Sequence, residues 1–383
     1  MNTDNKKVVI ITGDKLWMEG NAINQAHEVA KLDGVQRVVA MPDLHVGKTP
    51  VGVVTVTAGR IYPHLIGTDI GCGMSIFSTG IETKKVKIDR WVSRLNTIKT
   101  LSVVPNSEHH FDDRLSRESR ELACMTEAIE GASRQAYCPI PDFGSIGSGN
   151  HFAEFQAIHE VFDEEAVARL KMDKSKLLIT VHSGSRSYGS KILQQFNEYK
   201  GFAADSKEAK EYMRLHHDAL RWASLNRHEV AKKLLDYLGF TQVVESKLEC
   251  DHNFLEESGG LFYHRKGVVS AKADAVLIAG SRGTLSYIVR PTATCAEYGY
   301  SLAHGSGRKW ARSMCKGRIR EKYTLETIRR NKFGGQLVCH DYDLLFEEAP
   351  DVYKNVDSII AILEVYGMIE KIATLKPVLT FKG

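Results

Sequence analysis

The stretch Leu177-Leu-Ile-Thr-Val-His-Ser-Gly-Ser-Arg186 joins a short apolar run to a glycine-containing turn that begins at a histidine. Short apolar runs bounded by turn residues are typical of buried β-strands. Similar β-like runs recur at residues 8–12, 38–41, 51–58, 268–271, 275–279 and 287–289. They predict a chain with many short strands.

Helical patterns interrupt these strands without a regular alternation. The longest predicted helix covers residues 206–238, with Asp205 or Ser206 as its N-cap and Gly239 as its end. Two further helices are predicted over residues 355–375 and 89–98. We therefore expect an α+β fold, with mixed β-sheets and surface helices, in one domain that covers residues 1–383.

Composition excludes several classes of protein. With 383 residues, 43% of them hydrophobic, and 31 glycines, the chain can bury a large core and is neither disordered nor collagen-like. Its longest apolar runs are far shorter than the ~20 residues that span a bilayer, and its first residues lack the apolar region of a signal peptide. Seven scattered cysteines without CxxC spacing favour a reducing compartment. We expect a cytoplasmic protein without membrane association.

Charge is concentrated in one segment. The net charge is only +4, yet residues 308–332, the basic block, contain ten lysines and arginines against Glu321 and Glu326. Such a block can attract a polyphosphate chain, although an ordinary solvated helix face has the same composition.

Six glycine-rich stretches each carry a chemically reactive or charged side chain. They are His45-Val-Gly-Lys48, Gly67-Thr-Asp-Ile-Gly-Cys-Gly73, Gly144-Ser-Ile-Gly-Ser-Gly-Asn-His151, His182-Ser-Gly-Ser-Arg186, Gly280-Ser-Arg-Gly283 and His304-Gly-Ser-Gly-Arg308. None has the spacing of a Walker A or a dinucleotide-binding motif. Glycine allows close approach of the backbone to a ligand, so these loops predict a large anion-binding site.

Five residues in loop-like settings are candidate metal ligands. Asp69 and Cys72 lie three residues apart in a glycine-rich turn, and His151, His182 and His252 stand beside glycine, serine or asparagine. Thiolate, imidazole and carboxylate groups bind metals, and a sulfur can bridge two ions. For each residue alone, a hydrogen-bonded loop histidine or a buried inert thiol is the more common role. We interpret the pairs His109-His110 and His216-His217 as surface residues.

At this level of detail the sequence resembles the RtcB family of GTP- and manganese-dependent RNA ligases. The matching stretches occur in family order along nearly the whole chain. They are Met41-Pro-Asp-Leu-His45, Gly67-Thr-Asp-Ile-Gly-Cys-Gly-Met74, Gly144-Ser-Ile-Gly-Ser-Gly-Asn-His-Phe-Ala-Glu154, His182-Ser-Gly-Ser-Arg186, His252-Asn253, Arg265-Lys-Gly267, Gly280-Ser-Arg-Gly-Thr-Leu-Ser-Tyr287, His304-Gly-Ser-Gly-Arg308, Glu347-Glu-Ala-Pro-Asp-Val-Tyr-Lys354 and Lys382-Gly383.

The resemblance implies a central pocket for two metal ions and a nucleotide. It implies two Mn²⁺ bridged by Cys72, one completed by His182 and His252 and the other by Asp69 and His151. It implies that His304 takes GMP from GTP, with Asn150, Arg186 and Arg308 as further catalytic residues. The implied nucleotide contacts are Asn150, His151, Phe152, Ala153, Glu154, His252, Asn253, Ala279, Gly280, Ser281, Arg282, Ser286, His304, Gly305, Ser306, Gly307 and Lys382.

The implied activity joins RNA ends that carry a 2′,3′-cyclic phosphate or a 3′-phosphate to 5′-hydroxyl ends. The implied partners are broken tRNA, rRNA or other structured RNA, together with an archease-like activator. Departures from the family pattern at residues 46–52, Arg282 and Ser306 indicate a shorter, divergent branch. A two-metal phosphoesterase or nuclease and a non-catalytic RNA-binding relative are the alternatives.

Overall fold

Two mixed sheets and a long helix organise the part of the chain that the structure describes. The computed structural model describes residues 7–14, 16–98, 142–196, 200–241, 244–310 and 312–382. The predicted surface pair His109-His110, and with it Cys124 and Cys138, lies outside these residues. The α+β class predicted from the mixture of strands and helices is confirmed.

The strands are β1 (Val8–Ile10), β2 (Val35–His45), β3 (Val51–Ala58), β4 (Arg60–Ile61), β5 (Gly73–Glu82), β6 (Phe152–Val161), β7 (Lys176–Ser183), β8 (Phe202–Ala203), β9 (Glu245–Asp251), β10 (Asn253–Ser258), β11 (Leu261–Lys266), β12 (Val268–Ser270), β13 (Val276–Ile278), β14 (Ser286–Pro291), β15 (Ser301–Ala303), β16 (Gln336–Cys339) and β17 (Ile369–Lys382). All the β-like runs predicted from sequence lie in or overlap strands of this set.

The α-helices are α1 (Gly20–Val29), α2 (Ile88–Leu95), α3 (Glu164–Arg169), α4 (Ser187–Gln195), α5 (Lys207–Leu238), α6 (Cys315–Arg320), α7 (Tyr342–Glu347) and α8 (Val356–Val365). Helix α5 begins and ends as predicted. The Ser206 side chain accepts a hydrogen bond from the Ala209 N–H, and Gly239 takes a left-handed conformation at the C-cap.

The larger sheet has the strand order β13-β14-β17-β6-β7-β5-β9, with β16 paired to β17. The smaller sheet has the order β1-β2-β3-β11-β10, and the pairs β12-β15 and β4-β8 stand apart from both. Most neighbours are antiparallel, and only β1-β2 and β16-β17 are parallel among the paired strands. None of the helices in the described ranges has the length and apolar character needed to cross a bilayer.

Two expectations from sequence are wrong. The helix predicted over residues 355–375 ends after Val365, because Gly367 adopts a φ of 66° and β17 begins at Ile369. That left-handed turn is accessible to glycine at little cost and redirects the chain into the sheet. His216 is fully buried rather than exposed, and its Nε2 accepts a hydrogen bond from the Leu255 N–H at 2.9 Å, whereas His217 is exposed.

A buried arginine connects α5 to the larger sheet. The Arg227 guanidinium is fully buried and donates to the Gly71 and Ser183 carbonyl oxygens at 2.8 and 3.2 Å. It also donates to the Ser75 hydroxyl at 2.7 Å and to Asp251 Oδ1 at 2.8 Å. A buried charge is tolerated only when its donors are all satisfied, and here each nitrogen has a partner.

We expect Arg227→Met to lower the free energy of unfolding by about 3–5 kcal/mol, because it leaves the part-buried Asp251 carboxylate and two buried carbonyl groups unpaired. Urea unfolding would measure the loss. Arg214→Met on the same helix is the matched control. Arg214 is exposed and pairs with Glu211 and Asp218 at the surface, so its loss should cost at most about 1 kcal/mol. Equal effects of the two substitutions would contradict this account.

Candidate active site

The candidate metal ligands meet at the ends of neighbouring strands, on one side of the larger sheet. Cys72 directly precedes β5, His151 directly precedes β6, His182 lies near the end of β7, and His252 directly follows β9. In the register of these neighbouring strands, His182 pairs with Phe152 and with Met74, and Gly73 pairs with Asp251. The pairing therefore brings residues that are far apart in sequence to the same strand ends.

Their side chains form two triads that share one thiol. Cys72 Sγ lies 3.3 Å from His151 Nε2 and 3.3 Å from His182 Nε2. His182 Nε2 lies 3.3 Å from His252 Nε2, and Asp69 Oδ2 lies 3.1 Å from His151 Nε2. Within each triad, Cys72-His182-His252 and Asp69-Cys72-His151, the donor atoms all lie within 4.8 Å of one another. The donor set thus fits two metal ions bridged by a thiolate.

Protonation states favour metal binding at these nitrogens. Burial lowers the pKa of His182 and of His252 well below the usual value, so both rings are neutral. His182 Nδ1 donates to the Asn150 carbonyl oxygen at 3.2 Å, which leaves the Nε2 lone pair for a metal. Burial and the nearby Asp69 carboxylate raise the pKa of Cys72, so a metal must displace its proton.

Arg186 positions the Asp69 side of the site. Its backbone adopts the unusual angles φ 58° and ψ −134°, and its N–H donates to Asp69 Oδ1 at 2.9 Å. Its guanidinium donates to His151 Nδ1 at 3.2 Å. Residues held in such sparsely populated backbone regions cluster at functional sites. Burial opposes ionisation of Asp69, but the hydrogen bonds from His151 and Arg186 bring its pKa below the usual value.

Arg227 forms hydrogen bonds with the residues next to three of the candidate metal ligands. Its partners Gly71, Ser183 and Asp251 are the chain neighbours of Cys72, His182 and His252, respectively. Sequence analysis did not single out Arg227, because nothing in its local helical pattern distinguishes it from a surface arginine.

The imidazole ring of His304 lies beside the triads, and a hydrogen bond fixes its orientation. Its Nδ1 donates to Asp43 Oδ2 at 2.8 Å, and its ring centre lies 4.6 Å from that of His252. Asp43 is fully buried in β2, and Lys354 Nζ fixes the surrounding chain by donating to the Pro42 and Leu44 carbonyl oxygens at 3.0 and 2.7 Å. With Nδ1 protonated, the Nε2 lone pair is available for attack on an electrophile.

The turn after His304 depends on close approach of two chain segments. Gly307 adopts a φ of 65°, and a Cβ at this position would overlap the Asp43 carbonyl oxygen. Sequence analysis missed Asp43, like Arg227, as a site residue. The only available signal was its position in the Met41-Pro-Asp-Leu-His45 stretch, and its pairing with His304 is a contact across 261 residues.

A cavity of about 480 Å³ opens in front of His304. Of the predicted catalytic and nucleotide-binding residues, the following line it: Asn150, Phe152, Glu154, Ala279, Gly280, Ser281, Arg282, His304, Gly305, Ser306, Gly307, Arg308 and Lys382. His182 also lines it, which makes the cavity continuous with the triads. The other predicted residues, Arg186, His151, Ala153, His252, Asn253 and Ser286, lie outside the cavity lining.

Some residues outside the lining support it. The Ser286 hydroxyl accepts from the Gly280 N–H at 3.1 Å, and Asn253 Oδ1 accepts from the Gly267 N–H at 3.0 Å. Arg308 lines the cavity, but its guanidinium already donates to Glu348 Oε1 at 3.0 Å and to the Glu347 carbonyl oxygen at 2.8 Å. Arg308 therefore holds the cavity wall in this structure.

Glu154 is a buried acid on the cavity floor. Its carboxylate accepts hydrogen bonds from Gln156 Nε2 and from the Thr380 hydroxyl. Burial raises the pKa of Glu154 to about 7 against the effect of these donors. Lys382, from the same strand as Thr380, donates to the His151 carbonyl oxygen at 2.8 Å, and burial lowers its pKa to about 8.

The departures from the family pattern also lie in the cavity wall. Arg282 Nη2 donates to the Leu345 carbonyl oxygen at 2.8 Å, and the Ser306 hydroxyl donates to the Ala279 carbonyl oxygen at 3.4 Å. Val46 and Val51 contribute an apolar part of the lining. These positions therefore change the surface of the cavity and leave the triads and His304 in place.

Part of the basic block is exposed next to this cavity. Arg318 and Arg320 are both exposed, and the Arg318 guanidinium lies 5.1 Å from the centre of the Trp310 ring. The Arg320 guanidinium lies 5.2 Å from the Tyr342 ring centre and 3.7 Å from Asp343. Arg312, half exposed, lines the cavity itself.

Known proteins of one family match almost the whole chain. Residues 25–383 match the family described as tRNA-splicing ligase RtcB. The chain is 38% identical to RNA-splicing ligase RtcB2 of Escherichia coli, over 98% of this chain and 96% of the relative. It is 28% identical to tRNA-splicing ligase RtcB of Archaeoglobus fulgidus, over 96% and 92%, and 26% identical to that of Nanoarchaeum equitans, over 99% and 96%. The chain belongs to the RtcB family of enzymes.

Proposed function

We propose that this protein is a GTP-dependent RNA ligase that joins 2′,3′-cyclic-phosphate or 3′-phosphate ends to 5′-hydroxyl ends. The observation that carries the proposal is the placement of His304. An imidazole oriented by a buried carboxylate faces a nucleotide-sized cavity, directly beside two triads of candidate metal ligands. The names of the relatives, tRNA-splicing and RNA-splicing ligases, support the same activity.

Two Mn²⁺ ions are the proposed metals, one for each triad. The residues that would hold them are Cys72 in common, His182 and His252 on one side, and Asp69 and His151 on the other. Bound ions would neutralise the negative charge of the reacting phosphates. A set of one thiolate and three imidazoles binds Zn²⁺ or Cu²⁺ more tightly than Mn²⁺ by intrinsic affinity, so the choice of manganese rests on the family resemblance.

The proposed reaction begins at His304. Its Nε2 attacks the α-phosphorus of GTP, a P–N bond forms, and pyrophosphate leaves, while Asp43 stabilises the positive charge that develops on the ring. The GMP group is then transferred to the RNA 3′-phosphate, which gives an RNA-(3′)pp(5′)G end. Attack by the 5′-hydroxyl forms the new phosphodiester and releases GMP. A 2′,3′-cyclic phosphate must first be opened by water.

Glu154 is proposed to select guanine. A carboxylate has about four acceptor positions, and Gln156 and Thr380 use two of them. The remaining positions can accept from the N1–H and N2–H₂ groups of guanine, and adenine lacks this pair of donors. A buried acceptor left unpaired discriminates strongly against the wrong ligand.

The two alternatives explain fewer features. A two-metal phosphoesterase needs neither GTP nor a covalent histidine–GMP. A non-catalytic RNA-binding relative has no use for the combination of Cys72, His151, His182, His252 and His304. The nucleophile thus separates the ligase from both alternatives.

The proposal extends to partners and location. The substrates are broken tRNA, rRNA or other structured RNA, and an archease-like protein is the proposed activator. Residues 1–383 would act as one catalytic domain. Within the described ranges, Cys72, Cys250, Cys295 and Cys339 are buried thiols outside any disulfide, which supports a reducing, cytoplasmic location.

Incubation with α-³²P-GTP and Mn²⁺ tests the covalent step. We expect the wild type to acquire an acid-labile, base-stable label on a denaturing gel, and His304→Ala to acquire none. Asp43→Asn, which keeps the shape of the buried side chain, should label at least about 100-fold more slowly because it weakens the orientation of the ring. A folded, metal-loaded wild type that stays unlabelled, also with an activator present, would favour the hydrolase or the binding protein.

The raised pKa of Glu154 predicts a pH dependence of GTP binding. Since the ionised carboxylate is the acceptor, affinity should fall as the pH drops through about 7. Between pH 7.5 and 6 the dissociation constant of GTP should rise about eightfold, as the ionised fraction of such a group predicts. Isothermal titration would measure it. Glu154→Gln should bind GTP weakly and with little change over this range, and a wild-type pH dependence in that variant would disprove the assignment.

The exposed arginines of the basic block are expected to hold RNA. Arg318→Ala/Arg320→Ala should weaken RNA binding and reduce its salt dependence, since each lost phosphate contact removes about 0.7 from the slope for a single strand. The rate of guanylylation should not change. The matched control is Arg169→Ala/Arg214→Ala, which removes two exposed arginines elsewhere on the surface. Loss of both activities, or of neither, would count against this division.

A further inference from the structure

A second groove opens beside the nucleotide cavity and continues from it. It has a volume of about 430 Å³, and two of its lining residues, Lys309 and Trp310, also line the nucleotide cavity. Trp17 belongs to the chain segment before α1, and it lines this groove together with Lys309 and Trp310, which follow His304 in the sequence. The groove therefore lies where a strand entering or leaving the reaction centre would pass.

Its lining is aromatic and cationic. Trp17 is 54% exposed, so its ring is accessible to a ligand in the groove. Trp310 is half-buried, and the Arg318 guanidinium lies over its ring. Among the described residues, Lys309 has no ion-pair partner. None of the described residues that line the groove is acidic. Lys354 also lines the groove, but its ammonium group already donates hydrogen bonds to the Pro42 and Leu44 carbonyl oxygens.

Aromatic side chains beside unpaired cations are the features that bind single-stranded nucleic acid without regard to sequence. Bases stack on the rings, and the cations neutralise the phosphates. A nucleobase is also small enough for a groove of this volume. An acidic peptide would meet the same charges, but the direct continuity with the cavity of His304 favours the substrate strand.

We propose that this groove is a base-stacking subsite, in which one nucleotide near the RNA junction stacks on Trp17 and places its phosphate beside Lys309. The proposal rests on the proposed ligase function, since it assigns a contact to that substrate. Trp17 acts here as a positioning residue for the RNA, and guanylylation of the protein does not require it.

RNA strands with a single abasic residue test the subsite. A set of strands carries the abasic residue at each of the six positions next to a 3′-phosphate or a 5′-hydroxyl end. Dissociation constants are measured by fluorescence anisotropy for the wild type, Trp17→Ala and Trp17→Phe. For the wild type, we expect one position at which loss of the base weakens binding about tenfold.

Trp17→Ala should bind the intact strand about tenfold more weakly and show no further loss at that position, whereas Trp17→Phe should keep most of the effect. Phe162→Ala is the control, because Phe162 is a similarly exposed aromatic residue outside the groove. Unchanged RNA affinity of Trp17→Ala, as expected if the groove serves a protein partner, would overturn the subsite. So would an equal loss at every abasic position.

Labelling with α-³²P-GTP keeps this test separate from that of the ligase function. Trp17→Ala should be labelled at the wild-type rate, and a large loss of labelling would overturn its role as an RNA contact. If the wild type is not labelled but Trp17 still determines the abasic penalty, the subsite stands and the guanylylation mechanism falls.

Discussion

The burial of one positive charge constrains the positions of three candidate metal ligands. Arg227 has no exposed surface, so its guanidinium must find all its partners within the protein. It finds them in segments that carry Cys72, His182 and His252, and it reaches them from the middle of α5. Any displacement of one of these segments would leave a buried donor unpaired. The energetic requirement for complete hydrogen bonding thus becomes a geometric requirement on the metal-binding groups.

Strand register supplies the second constraint. The four ligand-bearing strand ends belong to neighbouring strands, and a slip of one residue would turn His182 to the opposite face of the sheet. Apolar side chains such as Phe155 and Ile179, buried on one face, oppose such a slip. The core therefore does more than stabilise the protein, because it sets which functional groups can meet.

Local patterns in the sequence predicted much of this structure. The α+β class, the seven β-like runs and the capped helix α5 follow from short-range preferences, and so they could be read from the sequence. The helix predicted over residues 355–375 extends too far for a local reason as well. The helical spacing of apolar residues continues past Gly367, but the backbone turns at that glycine. The buried state of His216 and the pairing of Asp43 with His304 depend on contacts across the fold. No local pattern carries that information, and for Asp43 only the family-like stretch around it pointed to the site.

The place of β17 in the larger sheet has a consequence for biosynthesis. This strand is central, paired with both β6 and β14, yet it is built from residues 369–382. More than 200 residues separate β17 from β6. At ordinary rates of translation, roughly 10–40 s therefore pass between the synthesis of β6 and that of its partner β17. During that time the edge of β6 that will pair with β17 exposes unpaired N–H and C=O groups, which can pair with another chain and so favour aggregation. Thr380 and Lys382 arrive with β17, so the cavity in front of His304 is completed only when this strand emerges from the ribosome.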